Sequence, residues 1–121
     1  MQPGISGVQL KKGNMTEYFF IKHNGRIKKV LFGEIVFIEG LKNYCRIHTR
    51  TNKFITLTSM KDLEDFLPAD QFIRIHKSYI IAVNSIDQLT KAQVCLQDID
   101  CLPVGETFRP RLHAFVSDKL L

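Results

Sequence analysis

The chain has 121 residues, of which 45% are hydrophobic and 24% charged, a balance typical of a folded domain and not of a disordered chain. No apolar run approaches the roughly 20 residues that span a bilayer. The N-terminus also lacks the apolar segment of a secretory signal, so we expect a cytoplasmic protein.

The formal net charge of +5 is distributed unevenly along the chain. Residues 1–60 carry ten Lys and Arg against three Asp and Glu, whereas residues 61–121 carry seven against nine. A basic face attracts polyanions because it neutralises phosphates and releases their counterions. The asymmetry favours a nucleic-acid partner, although soluble domains of other functions often carry a similar charge.

Residues 1–15 are predicted to form a flexible leader, and residues 16–121 one mainly β domain. Aromatic and β-branched content, alternation and turn residues mark the strands. Asn24-Gly25 is a strong two-residue hairpin signal because both residue types tolerate positive φ. The predicted strands are Tyr18–His23, Arg26–Phe32, Ile35–Glu39, Tyr44–Arg50, Lys53–Leu57, Phe72–Ile81, Ile86–Thr90, Gln93–Gln97 and Cys101–Val104.

One short helix and a terminal helical segment complete the predicted elements. Ser59 is a good N-cap with Asp62 three residues later, and Pro68 ends the helix that follows. The second segment is entered through residues 105–112 and continues to Leu121. Nine predicted strands and one clearly signalled helix therefore predict a mainly β fold.

The predicted strand Phe72–Ile81 carries three consecutive hydrogen-bonding side chains, His76, Lys77 and Ser78. An imidazole, an ammonium and a hydroxyl on a rigid β scaffold suit contact with phosphates and base edges. An ordinary strand with a solvated polar tip is the alternative. Arg74, one step from the apolar run, is predicted to pair with an acid such as Glu39.

Patterns of catalysis and metal binding are missing from the sequence. It contains no GxSxG elbow, P-loop or GxGxxG, and no His and Cys pair has zinc-site spacing. We therefore expect neither an enzyme nor a cofactor. Cys95 and Cys101 could face each other across a hairpin, but in a reducing cytosol we expect both to remain thiols.

Four segments, in order, resemble the LytTR family of bacterial DNA-binding domains. Ile35–Gly40 with Asn43-Tyr44 is similar to the family's I-x-Y-I-E-A-x-x-N-Y, and Ser59–Glu64 to its S-L-K-x-L-E helix. Phe72–Ile80 closely matches F-x-R-I-H-R-S-Y-I, and Leu102–Gly105 resembles I-P-V-S. Together they cover about residues 17 to 116.

This resemblance implies an elongated stack of antiparallel β-sheets and sequence-specific binding to double-stranded DNA. Such domains usually form the output half of two-component response regulators. The sequence is therefore expected to be either an output domain with a receiver domain in a longer chain, or a short regulator that is controlled differently. The family reads successive major grooves with loops and generally binds paired direct repeats. The resemblance thus implies transcription regulation and dimeric occupancy of DNA.

The resemblance also assigns contact residues, carried over by position. Base contacts are implied for Asn43, Cys45, His76, Lys77 and Glu106. Contacts to phosphate, or a positioning role, are implied for Lys42, Arg46, Ser59, Lys61, Ser78, Gly105 and Thr107. Lys77 stands where the family commonly has Arg, and Glu106 where it frequently has a basic residue.

Two other functions remain open from the residues alone. A β scaffold with exposed edge strands can serve as a protein-interaction module. An aromatic-rich sheet can also stack the bases of single-stranded nucleic acid.

Overall fold

The computed structural model describes residues 17–121; the predicted leader, residues 1–15, lies outside them. The described residues form ten strands, two α-helices and three single turns of 3₁₀-helix. The strands are Tyr18–His23 (β1), Arg26–Leu31 (β2), Ile35–Gly40 (β3), Cys45–Thr49 (β4), Lys53–Thr56 (β5), Phe72–His76 (β6), Tyr79–Ala82 (β7), Ile86–Leu89 (β8), Gln93–Leu96 (β9) and Cys101–Pro103 (β10). The α-helices are Met60–Phe66 (α1) and Arg109–Ser117 (α2).

Three antiparallel sheets build the fold, which confirms the predicted mainly β class. The central sheet has five strands in the order β5-β4-β3-β7-β6. A hairpin of β1 and β2 and a three-stranded sheet in the order β10-β9-β8 form the other two sheets. All pairings between neighbouring strands are antiparallel.

Buried side chains cover both faces of the central sheet. In β6, Phe72 packs with the β1–β2 hairpin and α1, whereas Ile73 and Ile75 pack with β9, β10 and α2. This alternation is the period-2 pattern of a strand buried on both faces. In β3, a register irregularity between Ile35 and Phe37 changes the phase of the pattern. The central sheet therefore separates two hydrophobic clusters.

The first hairpin turn follows the sequence prediction closely. Asn24 and Gly25 have φ of 53° and 73°, and His23 pairs with Arg26 across the turn. Positive φ at both central residues gives a turn whose twist matches that of the flanking strands. The Asn-Gly pair therefore sets the register of β1 against β2.

The N-cap prediction for α1 is also confirmed. Ser59 has an extended backbone, and its hydroxyl accepts a hydrogen bond from the Asp62 amide at 3.0 Å. The helix ends at Phe66, two residues before Pro68. At the other end of the chain, a 3₁₀ turn over residues 106–108 leads into α2.

The prediction of one continuous strand from Phe72 to Ile81 is wrong. The segment is a hairpin in which β6 ends at His76 and β7 begins at Tyr79, so Lys77 and Ser78 form the turn. The Ser78 amide donates to Nδ1 of His76 at 3.0 Å, which satisfies the donor without a strand partner. A side chain therefore closes this turn in place of a turn-forming residue pair.

The expectation that Cys95 and Cys101 remain thiols is also corrected. The two residues lie opposite each other in the β9–β10 pairing, and a disulfide joins them. The short connection over residues 97–100 brings the two positions into register.

Candidate nucleic-acid interface

Three connecting segments come together beside one end of the central sheet. They are residues 41–44, residues 76–78 and residues 105–107, which we call the loop corner. The Gly40 amide, immediately before the first segment, donates to the Ser78 carbonyl at 2.8 Å. The Gly105 amide donates to the Ile75 carbonyl, also at 2.8 Å. The first and third segments are therefore both bonded to the hairpin that carries the second.

The first segment is a tight connection between β3 and β4. The Leu41 amide donates to the Tyr44 carbonyl at 2.8 Å, which closes the loop and leaves Lys42 and Asn43 exposed at its tip. Within residues 17–121, neither of these two side chains has a hydrogen bond or an ion pair. A Cβ added to Gly40 would lie only 2.7 Å from Met60 Cγ, so the loop base packs closely on the start of α1.

The second segment is the turn between β6 and β7. His76 is half-buried, with its ring centroid 5.4 Å from that of Tyr79. Lys77 is exposed, and its ammonium has no hydrogen bond or ion pair with any described residue. An unpaired ammonium on a closed turn is free to bind an acceptor from another molecule.

The third segment connects β10 to α2. Glu106 and Thr107 are exposed, whereas Gly105 is half-buried against the neighbouring hairpin. A Cβ added to Gly105 would lie 3.6 Å from the Cα of His76 and 3.1 Å from Phe108 Cδ2. The tighter of these contacts is with Phe108 in the same connection, whereas the third segment packs against His76 at an ordinary van der Waals distance.

Behind the first segment, β3 and β4 share a cluster of polar side chains around Glu39. Its Oε1 accepts from Arg46 Nη1 at 3.0 Å and lies 3.1 Å from His48 Nε2. Burial opposes ionisation of Glu39, but the hydrogen bonds from His48 and Arg46 outweigh it and lower the pKa below 4.5. Burial also lowers the pKa of His48, whose ring stacks on Phe37 at 4.0 Å.

Comparison with known protein families assigns this chain to one of them. The sequence profile described as the LytTr DNA-binding domain matches residues 25–117. The chain belongs to the LytTR family. This family is one of DNA-binding domains rather than of enzymes.

A solved LytTR structure has the same fold. It is the LytTr DNA-binding domain of a Bacillus cereus protein described as a methyl-accepting/DNA response regulator. The TM-score is 0.72 at 20% sequence identity, over 82% of this chain and 95% of that one. At this identity the likeness establishes the fold.

One curated relative is a CO-responsive transcriptional regulator, RcoM, from Rhodospirillum rubrum. The two sequences are 27% identical over 89 residues, which is 69% of this chain and 38% of the relative. The LytTR chain thus spans well under half of that regulator's length. The family description specifies DNA binding, and the name of this relative specifies transcription regulation.

Cys45 is a correction to the site assigned by resemblance. Its side chain is completely buried, and its Sγ donates to the Thr58 carbonyl at 3.4 Å. Burial raises the pKa of the thiol. A side chain enclosed in the core cannot contact a base edge, so Cys45 is a packing residue of the LytTR fold.

Three candidate residues remain: Arg46 on β4, whose ion pair with Glu39 is described above, and Ser59 and Lys61 at the start of α1. Ser59 and Lys61 are exposed, and Lys61 Nζ lies 3.0 Å from Asp65 Oδ2. The hydrogen bond that the Lys61 ammonium donates to Asp65 raises the pKa of Lys61. An exposed ion pair of this kind is weak, so a phosphate can replace the carboxylate.

Sequence reasoning missed the side chains that support the LytTR loops. Arg74 does pair with an acid, as expected, but the partner is Glu64 and not Glu39, and its guanidinium also donates to the carbonyls of His76 and Lys77. Its place in β6, two residues before His76, was the available signal, because a long cationic side chain there can reach the turn.

Two further features concern the whole described chain. No helix within residues 17–121 is long and apolar enough to cross a membrane. The same residues contain no group of three or more His, Cys, Asp or Glu that could hold a metal ion.

Proposed function

We propose that this LytTR domain binds double-stranded DNA sequence-specifically and regulates transcription as the output domain of a two-component response regulator. The observation that carries the proposal is the adjacency of three exposed loop segments, with Lys42 and Lys77 unpaired among the described residues. Rigid loops with free donors can enter a major groove and read base edges there.

The chemistry of the loop corner suggests a division of roles. Asn43 suits adenine, the Lys77 ammonium suits the O6 and N7 atoms of guanine, and the Glu106 carboxylate suits the amino group of cytosine. His76 is the fourth proposed base contact. The proposed phosphate or positioning contacts are Lys42, Arg46, Ser59, Lys61, Ser78, Gly105 and Thr107.

We also propose that two copies occupy paired direct repeats and that a receiver domain controls them in a longer chain. Family resemblance supports this arrangement, as does the description of the Bacillus cereus protein as a response regulator. We propose a cytoplasmic location on the same grounds.

Four phenylalanines are buried and cannot stack unpaired bases, whereas the rings of Tyr18, Phe20, Tyr44 and Phe66 are exposed, so competition between duplex and single strands has to distinguish the two kinds of binding. Phe19, Phe32, Phe37 and Phe72 are each at most 8% exposed and pack within the two hydrophobic clusters. A platform for stacking unpaired bases needs exposed rings. These four phenylalanines therefore contribute to the core and are not available to such a platform.

Selection from a random duplex library at two salt concentrations tests the proposal. We expect an enriched motif, and binding of that duplex should weaken as salt rises because phosphate contacts release counterions. Competition with either single strand of the same sequence should be ineffective. Equal binding of single strands, or the absence of any enriched duplex, would contradict the proposed function.

A further inference from the structure

The Arg74 side chain lies against the turn that carries Lys77. Its Nη2 donates to the Lys77 carbonyl at 2.6 Å, and its Nε donates to the His76 carbonyl at 3.3 Å. These carbonyls belong to the two consecutive peptide groups that lead from His76 through Lys77 to Ser78. One guanidinium therefore holds the backbone on both sides of Lys77.

The guanidinium is itself held from the other direction. Arg74 Nη1 donates to Glu64 Oε1 at 3.1 Å, and Glu64 Oε2 accepts from Arg111 at 2.9 Å. The Arg74 and Glu64 side chains are only 16% and 23% exposed. Shielding from water strengthens these charge-assisted hydrogen bonds.

Phe108 connects the third segment of the loop corner to the same cluster. Its ring centroid lies 5.7 Å from the guanidinium carbons of both Arg74 and Arg111, within the range of cation–π attraction. The Phe108 amide also donates to the Gly105 carbonyl at 2.9 Å. Side chains from α1, β6 and α2 thus meet behind two of the three segments.

We propose that Arg74 is a positioning residue for DNA recognition, because it fixes the backbone that presents Lys77. This inference rests on the proposed function and assigns a role to a side chain that does not itself touch DNA. Its three nitrogens are engaged within the protein, so it acts through the turn. Because the turn is already ordered in the free protein, less conformational entropy is lost when DNA binds.

Arginine suits this role because three different nitrogens of one guanidinium each donate to a different acceptor. A planar guanidinium offers five N–H donors in a fixed arrangement, whereas a lysine ammonium is a single point at the end of a flexible chain. Lysine would keep the charge but could not hold Glu64 and both carbonyls at once. The Arg74→Lys variant therefore separates positioning from charge.

A double-mutant cycle on the selected duplex tests the proposal. We expect Arg74→Lys to weaken specific binding about tenfold and to relax the base preference, with non-specific duplex binding unchanged. In a Lys77→Ala background, Arg74→Lys should lower the affinity for the selected duplex by less than about twofold. Full affinity and preference in Arg74→Lys, or an equal loss in both backgrounds, would overturn the proposal.

Arg50→Ala is the matched control, because Arg50 also donates to a backbone carbonyl, that of Gly33 at 2.8 Å. Arg50 follows the end of β4 opposite the first loop segment. We expect its replacement to leave the base preference unchanged. If Arg50→Ala relaxed the preference as Arg74→Lys does, general destabilisation would explain both and the positioning role would be wrong.

Hydrogen exchange without DNA separates this inference from the proposed function. The Gly40 amide donates to the Ser78 carbonyl and the Ser78 amide to His76, so both report on the order of the turn. In Arg74→Lys we expect these amides to exchange about tenfold faster while core amides stay protected. Unchanged exchange would refute the positioning role, whereas failure of the parent to bind duplex would refute the proposed function.

Discussion

Lys77 extends from a closed turn, and its ammonium has no partner among residues 17–121. If it contacts a guanine, Lys77→Ala should weaken binding to the selected duplex by about 1–3 kcal/mol and relax the preference at one base pair. Titration of the parent and the variant with the selected duplex and its single-base variants measures both effects.

Lys91→Ala is the charge-matched control for Lys77, since Lys91 is an exposed residue in the connection between β8 and β9. We expect it to leave the base preference as in the parent. Equal and uniform weakening by the two variants would mean that Lys77 contributes only charge.

Cys45 is a core residue, so its replacement should affect folding rather than recognition. Cys45→Ala leaves a small cavity and should lower the free energy of unfolding by about 1 kcal/mol. Urea denaturation measures this loss, and a duplex titration under conditions where the variant is folded should give the parent's base preference. A relaxed base preference without loss of stability would mean that Cys45 contacts DNA and is not a core residue.

The His48 and Glu39 pair makes stability depend on pH. Burial lowers the pKa of His48 below 6.5, so as pH falls the unfolded chain takes up the proton before the folded one does. The pKa of Glu39 is also lowered, so the stability that its ionised form contributes is lost as pH falls below about 4.5. The free energy of unfolding should therefore fall as pH is lowered through 6.5 and fall further below 4.5.

Urea denaturation of the parent and His48→Gln at pH 7.5 and 5.5 checks the histidine contribution. The variant should lose less stability between these two pH values, because the parent alone protonates His48 on unfolding. Contributions that the parent and the variant have in common cancel in the difference. Equal losses would contradict the assignment.

At the scale of elements, the β1–β2 turn depends on a residue that tolerates positive φ. A Cβ on Gly25, whose φ is 73°, would meet nothing within 4 Å, so any cost of Gly25→Ala comes from the backbone conformation. We expect a loss of about 1 kcal/mol in the free energy of unfolding. Asn24→Gly is the matched control and should change stability less, and equal losses would contradict this account.

The two hairpin turns show which elements the sequence can predict. Asn24-Gly25 has the required conformation built into its residue types, so local reasoning located it correctly. The turn at Lys77-Ser78 has no such residues. This turn is held by His76 Nδ1 and by the guanidinium of Arg74. Because Glu64 of α1 in turn binds Arg74, the turn depends on a tertiary contact that local sequence reasoning cannot predict.

Cys45 shows how two lines of sequence reasoning can disagree. Alternation along residues 44–50 placed it on the same face as Ile47, and both side chains are completely buried. The family resemblance instead placed it in a base-reading loop. The strand alternation predicted the burial of Cys45 correctly, because neighbouring side chains of a strand point to opposite faces of the sheet.

At the scale of the whole molecule, the central sheet holds the loop corner in place from both sides. Its two faces pack against the β1–β2 hairpin with α1 and against β9 and β10 with α2. The Gly40–Ser78 and Gly105–Ile75 hydrogen bonds then fix the three segments to one another. A single surface assembled from residues distant in sequence is the part that a linear pattern could not predict.

The central claim is that the three segments bind one duplex together. Its most direct test is a titration of the isotopically labelled chain with the selected duplex, monitored by amide chemical shifts. We predict that the amides of residues 41–44, 76–78 and 105–107 shift along one common binding curve. Shifts confined to the Asn24-Gly25 turn or to the β8–β9 connection, with the three segments unaffected, would contradict the account.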